Sequence, residues 1–198
     1  MGAVAVTLIA FGTLVAVCAV VVSAAIGRVT RARSAAMDTA ERLLTAIGTR
    51  NSCIARLIDT ARPRRPGDAE VVEAARVAAG RLDASLAAMI ASDHDARKWI
   101  DLASADGGAA RAARPLLAMI DSDGDGANSG GSIHQELEAA DRHVAFAAET
   151  ANHAATRLIA AARGPVASRV ARVMGVRRES REMKLEPVRA APGGGGSW

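Results

Sequence analysis

Between Ala3 and Ile26 the chain reads AVAVTLIAFGTLVAVCAVVVSAAI, without one charged side chain. About twenty apolar residues in a row match the hydrocarbon core of a bilayer crossed as a helix. No water reaches backbone groups there, so helix is the one form in which a lone run satisfies its own N–H and C=O groups. A cleaved signal peptide is the competing reading. It would start with a positively charged stretch and carry a shorter apolar core. Here only Met1 and Gly2 precede the run, although VSAA around Ser23 has the small residues of a cleavage site. Arg28, Arg31 and Arg33 follow at once. Basic residues flank the cytoplasmic ends of membrane helices. Residues 1–27 are therefore expected to be a single-pass anchor in the plasma (inner) membrane, N-terminus outside, with everything after it cytoplasmic. Gly12 with Ala16, and Ala19 with Ser23, have the small-xxx-small spacing of packed membrane helices, which an ordinary alanine-rich anchor also explains.

Alanine governs the rest. It makes up roughly a quarter of the 198 residues, well above ordinary usage, against two Phe, two Trp and no Tyr. Alanine has the highest helix propensity and the smallest side chain that packs between helices. The β-branched residues fall inside helical patterns, so a sheet is not expected. The expected class is all-α. The formal charge of +4 is mild, and Cys18 and Cys53 sit in contexts too different to suggest a disulfide framework.

With no Pro before Pro63, the anchor is expected to continue as a helix to about Ala61. Leu43, Leu44, Ile47, Ile54, Leu57, Ile58 and Ala61 mark one face at three- and four-residue steps. RPRRPG, from Arg62 to Gly67, stops it. Asp68 is placed to cap a second helix with a stripe through Val71, Val72, Ala75, Ala79, Leu82, Leu86, Met89 and Ile90, prolonged by DHDARKWIDLA to about Ala103. Asp106–Gly107–Gly108 is expected to break the chain before a shorter helix through Leu116, Leu117 and Ile120, with Pro115 inside its pattern. In the last helix Ser132 and Gln135 have capping-box spacing. Ile133, Ala140, Ala147, Ala154 and Ala161 then recur every seven residues, and Leu137, Val144, Ala151 and Leu158 fill the intervening core position. A coiled-coil seam of Ala140, Ala147, Ala151 and Ala154 lets two backbones come close. Gly164 and Pro165 end that helix. Residues 28–165 are expected to form an elongated antiparallel bundle of three or four helices. A basic amphipathic segment, 166–187, and a flexible Gly-rich tail, 188–198, follow.

This order of features resembles the LemA family of bacterial membrane proteins, in which an N-terminal membrane helix runs into a cytoplasmic antiparallel helical bundle. RNSCIARLI, Arg50 to Ile58, is similar to the family's Arg-Arg-x-Asp-Leu-Ile-Pro-Asn-Leu-Val stretch, keeping an Arg and the apolar spacing, with Ala55 and Arg56 in place of Pro and Asn. ELEAADRHVAFAAETANHAATRLI is similar to the family's last long helix, with Glu136, Leu137, Asp141, Arg142, Val144, Phe146, Ala147 and Asn152 at corresponding places. GPVASRVARVMGV resembles the Phe-Pro segment that follows it. The family's Tyr residues are absent, which makes this a divergent member. The resemblance implies architecture rather than chemistry, since no catalytic residues are established for the family.

The one stretch that imitates a ligand site is MIDSDGDGANSGGS. Asp121, Asp123, Asp125 and Gly126 match the start of an EF-hand calcium loop. Position eight is then Asn128 where an apolar residue is usual, position twelve is Ser132 instead of a bidentate Glu, and Glu136 comes a turn late. Asp and Gly also favour plain turns, so the expectation is a loop without metal. His134, His143 and His153 are separated by nine and ten residues and point in different directions around one helix. Glu149 and His153 lack a second such pair on another helix, so no di-iron centre is expected. No phosphate loop, nucleophile motif or zinc spacing occurs. No catalytic, cofactor-binding or metal residue is assigned, and the chain is not expected to be an enzyme. The arginines of 167–181 suit either an anionic membrane surface or a helix packed back on the bundle by Val166, Val170, Val173 and Met174. No aromatic residue interleaves them, so nucleic acid is not an expected partner.

Two readings follow. The first is a LemA-like scaffold that binds other membrane proteins or a second copy of itself. The second is a single-span accessory subunit that stabilises a larger respiratory or photosynthetic complex.

Overall fold

The computed structural model describes residues 2–63, 65–92, 96–122 and 129–174. They form five helices: α1, Gly2–Thr60; α2, Asp68–Ala91; α3, Ala96–Ser122; α4, Ser129–Ala161; and α5, Pro165–Val173. There is no strand among the described residues.

Helix α1 runs unbroken from the apolar segment to the first Pro-containing turn, ending where Ala61 N–H donates to Leu57 O. It is long and apolar enough to cross a membrane. Gly67 precedes α2 in the left-handed region, φ 97°, which a residue without Cβ adopts freely. Asp68 does not cap α2 as expected; it lies in the first turn with Glu70, and its carboxylate accepts the N–H of Arg65 at 2.8 Å. Two acidic residues there still complement the positive end of the helix dipole. The helix stops at Ala91, where Ser92 turns its N–H and hydroxyl onto Met89 O, so α2 and α3 are separate helices and DHDARKWIDLA does not join them.

Helix α3 passes through the expected break at Gly107–Gly108 and carries Pro115 inside it. Trp99, Leu102, Asp106, Ala109, Ala113 and Leu116 are all buried, at alternating steps of three and four. A continuous core face outweighs the roughly 1 kcal/mol helix cost of each Gly. Pro115 remains a local defect, because it has no N–H and its ring crowds the carbonyl one turn back. Helix α4 begins at Ser129, so Ser132 lies inside it and hydrogen-bonds Glu136 at 3.1 Å instead of capping. Pro165 opens α5 at its first position, where the missing N–H is not needed.

The chain packs as two units. One comprises residues 2–39 and 151–174, the other Ala40–Thr150. The segment from Ala151 onward packs with the first part of α1. In the first unit Val29, Ala162 and Ala171 form a small core that Ala167 and Met174 cover. In the second, α1 contributes Leu43, Ile47, Ile54, Leu57 and Ile58, and α2 buries Val72, Ala75, Ala79, Leu82, Leu86 and Met89.

Candidate functional site

In the unit Ala40–Thr150 the buried stripe of α1 is interrupted by two polar residues, Arg50 and Asn51, each 4% exposed. Steps of three and four from Leu43 through Ile47 to Ile54 place residue 50 on the core face by helical geometry alone. A charge there requires a partner, because removing it from water costs several kcal/mol otherwise. Arg50 has two. Nη2 pairs with the Asp106 carboxylate of α3 and also reaches Asp106 O at 3.4 Å, while Nη1 donates to Asp141 Oδ1 of α4 at 3.1 Å. Beside it Asn51 Nδ2 donates to Asp83 Oδ1 at 2.6 Å and to Ala79 O at 3.3 Å, both on α2. Two adjacent residues of α1 thus tie it to the other three helices of this unit. Nearer the α1 C-terminus, exposed Arg56 pairs with Glu136 of α4.

The electrostatics are those of a shared cation. Burial pushes the Asp106 carboxyl above the usual carboxylate range; the Arg50 charge and hydrogen bond oppose the shift, and nearby Asp141 adds to it. One guanidinium serves two carboxylates, which is why its attraction does not cancel the loss of water around Asp106. Nearby, burial raises the Cys53 thiol, with Glu136 and Asp141 adding to the shift and Arg56 opposing it. Both terminal nitrogens of Arg50 are engaged and its side chain is 4% exposed, so it cannot reach a dissolved substrate. What such a network does is specify: a polar group at a core position accepts only the helix register that supplies its partner.

The arginines that follow the apolar run belong to the other unit. Arg28 Nε folds back on Ala24 O at 3.4 Å and Arg31 Nε on Gly27 O at 3.0 Å, and both are exposed. Arg33 Nη1 donates to Met174 O at 2.8 Å, just past the end of α5, where a cation meets the negative end of the helix dipole. Helix α5 packs against Val29 through Ala167, Ala171 and Met174 and not through the expected valine stripe, of which Val173 is 88% exposed.

The alanines of α4 divide. Ala140, Ala151 and Ala154 are buried, but Ala147 is only half-buried and Ala148 takes the core position at 6% exposure. A strict seven-residue repeat drifts about 20° per heptad on a straight helix. After Val144 the buried stripe steps by four to Ala148 instead of three to Ala147. Asp121 is in the last turn of α3, while Asp123 and Asp125 lie outside the described residues, as does Asp93–His94–Asp95. Among the described residues no three His, Cys, Asp or Glu side chains are grouped to hold a metal ion. His134 Nε2 lies 3.3 Å from Glu138 Oε1 along α4, an ordinary i,i+4 pair on a solvated face.

In the sequence Arg50 is marked only by its resemblance motif, and nothing there marks Asp106 and Asp141 as its partners or Asp83 as the partner of Asn51. Reading the three- and four-residue steps of α3 straight through Gly107–Gly108 would have placed Asp106 on the core face. No family model, no curated protein and no solved structure matches this chain.

Proposed function

We propose that this protein is a LemA-like, membrane-anchored interaction scaffold with no catalytic activity of its own. The observation that carries the reading is the double character of α1. One unbroken helix exposes Phe11 (65%), Leu14 (60%), Val17 (60%) and Val20 (69%), yet buries Leu44, Ile47, Ile54 and Leu57 further along. An apolar surface of that length is compatible with water only if something covers it, and a bilayer does so without further structure. Arg28, Arg31 and Arg33 support an orientation with the N-terminus outside and the helical domain in the cytoplasm.

The ion pairs favour the antiparallel bundle. From Arg50 to Arg56 α1 advances six residues, while their partners on α4 go back five, from Asp141 to Glu136. The buried polar side chains Arg50, Asn51 and Asp106 are engaged with partners on other helices, which suits a bundle built to hold shape and present surface. Its partners on this reading are other membrane proteins or a second copy of the chain.

The test is extraction from the native membrane in mild detergent, followed by mass spectrometry of what co-purifies. Proteins recovered with this chain in its natural abundance support the scaffold. Recovery in fixed ratio with cofactor-bearing subunits would favour the accessory-subunit reading instead. Protease added to intact cells should spare the bundle; digestion of it would overturn the orientation.

A further inference from the structure

The unit formed by residues 2–39 and 151–174 has an unusual charge balance. Its described residues include Arg28, Arg31, Arg33, Arg157, Arg163, Arg169 and Arg172 against a single acidic residue, Asp38. The other unit mixes both signs along every helix. The arginines are also levelled by packing. Val29, Ala162 and Ala171 touch in one small core, and each has an arginine as its chain neighbour: Arg28, Arg163 and Arg172. All three arginines are exposed. Val29 is three residues past Ile26, the last apolar residue of the exposed run, or about 4.5 Å along the helix axis. Three separate chain segments therefore bring exposed arginines, here called the collar, to the rim of one small core just past an apolar surface of membrane-spanning length.

Beside the collar lies a cleft of about 480 Å³ lined by Ile159, Ala162, Arg163, Gly164, Pro165 and Ser168. Its walls are mainly apolar, with one guanidinium and one hydroxyl. From this we infer that the collar binds anionic phospholipid, the phosphate held by Arg28, Arg163 and Arg172 and the acyl chains lying along the apolar face of α1. The guanidinium fork matches a phosphate in a bidentate way that a point charge does not, and partial exclusion of water at headgroup depth strengthens the contact. The inference rests on the reading of α1 as a membrane span. It adds to it a selectivity for headgroup charge, which an anchor alone does not need.

The test uses the full chain reconstituted into phosphatidylcholine vesicles that contain spin-labelled phosphatidylglycerol or spin-labelled phosphatidylcholine. Electron paramagnetic resonance then gives the fraction of each lipid immobilised at the protein. The expected preference for phosphatidylglycerol is at least about fivefold at low salt, the effect of one well-placed arginine. It should fall towards one in 0.5 M salt, on the order of a 4 Å screening length. Arg28→Gln/Arg163→Gln/Arg172→Gln should remove the preference while leaving Arg31 and Arg33 to hold the orientation. The corresponding triple Lys variant keeps the charge without the fork and should retain a reduced, salt-sensitive preference, which separates lost charge from lost folding. No preference in the inserted wild-type chain, or a preference unchanged by the Gln substitutions, would overturn the collar but leave the anchor intact. Release of the chain from the vesicles by alkaline carbonate would instead overturn the anchor, and the collar with it. Loss of the preference on adding a duplex oligonucleotide would reassign the arginines to nucleic acid.

Discussion

Arg50 on α1 and Asp106 on α3 form an ion pair with side chains 4% and 2% exposed, and Asp141 on α4 shares the same guanidinium. A buried pair of this kind contributes little net stability over apolar side chains of the same volume, yet breaking it from one side leaves an uncompensated charge in the core. Its value lies in what it excludes. Any sliding of α1 against α3 or α4 by one helical turn would strand Arg50 in an apolar layer.

The asymmetry is measurable. Arg50→Met or Asp106→Leu alone should destabilise the unit by about 3–5 kcal/mol. The double variant should recover most of that loss, because both charges leave together. Chemical unfolding of the detergent-solubilised chain, followed by circular dichroism, gives the three values. Strictly additive losses would mean that the pair is not coupled.

The pH dependence has a definite sign. Asp106 is raised in the folded state by burial, so between its ordinary value and its raised one the folded protein binds more protons than the unfolded chain. Stability from this group is therefore fully present below its ordinary value and declines as pH rises through the raised value. Asp106→Asn cannot ionise and should remove that decline. Subtracting unfolding curves of the variant from those of the wild type from acid to neutral pH isolates it. A difference independent of pH would place Asp106 in a wetter site than this one.

Much of the fold is legible in the sequence, for a physical reason. The stripe of α2, from Val72 to Met89, repeats at the spacing of one helix face, and no Pro interrupts α1 before its end. Asp106 is not legible to a reading that takes Asp–Gly–Gly as a turn, because local propensity points one way and the buried face of α3 the other. The core wins, since six side chains gain burial across the interruption. Arg50 is half legible: its step from Ile47 and Ile54 puts it on the core face, but only the partners on α3 and α4 explain why a charge is tolerated there. The shift from Ala147 to Ala148 is invisible to a strict seven-residue template, because it arises from the mismatch between that template and a 3.6-residue turn.

Continuity of α3 predicts a gain of stability from a glycine substitution. A Cβ at Gly108 would meet nothing within 4 Å, and Gly108 does not have the positive φ found at Gly67 and Gly164. Gly108→Ala should stabilise by roughly 0.5–1 kcal/mol through helix propensity and a less flexible unfolded chain. Gly67→Ala, at φ 97°, should destabilise instead. Thermal unfolding distinguishes them; loss of stability in Gly108→Ala would restore a turn at that point.

The register of α4 gives the last prediction. Val144, Ala148 and Ala151 are buried at steps of four and three, while Ala145 on the next position round the helix is exposed. Ala148 is 6% exposed, so the three extra carbons of Leu have no free volume to enter without moving a neighbouring backbone. Ala148→Leu should therefore cost about 1–3 kcal/mol, and Ala151→Leu a similar amount. Ala145→Leu should be neutral to within about 0.5 kcal/mol. Ala147→Leu, at a half-buried position, should fall between them, since its side chain can bend towards solvent. A strict seven-residue seam would reverse the order, with Ala147 costly and Ala148 tolerant. The ranking of these four unfolding midpoints thus decides between the two registers whatever the absolute magnitudes.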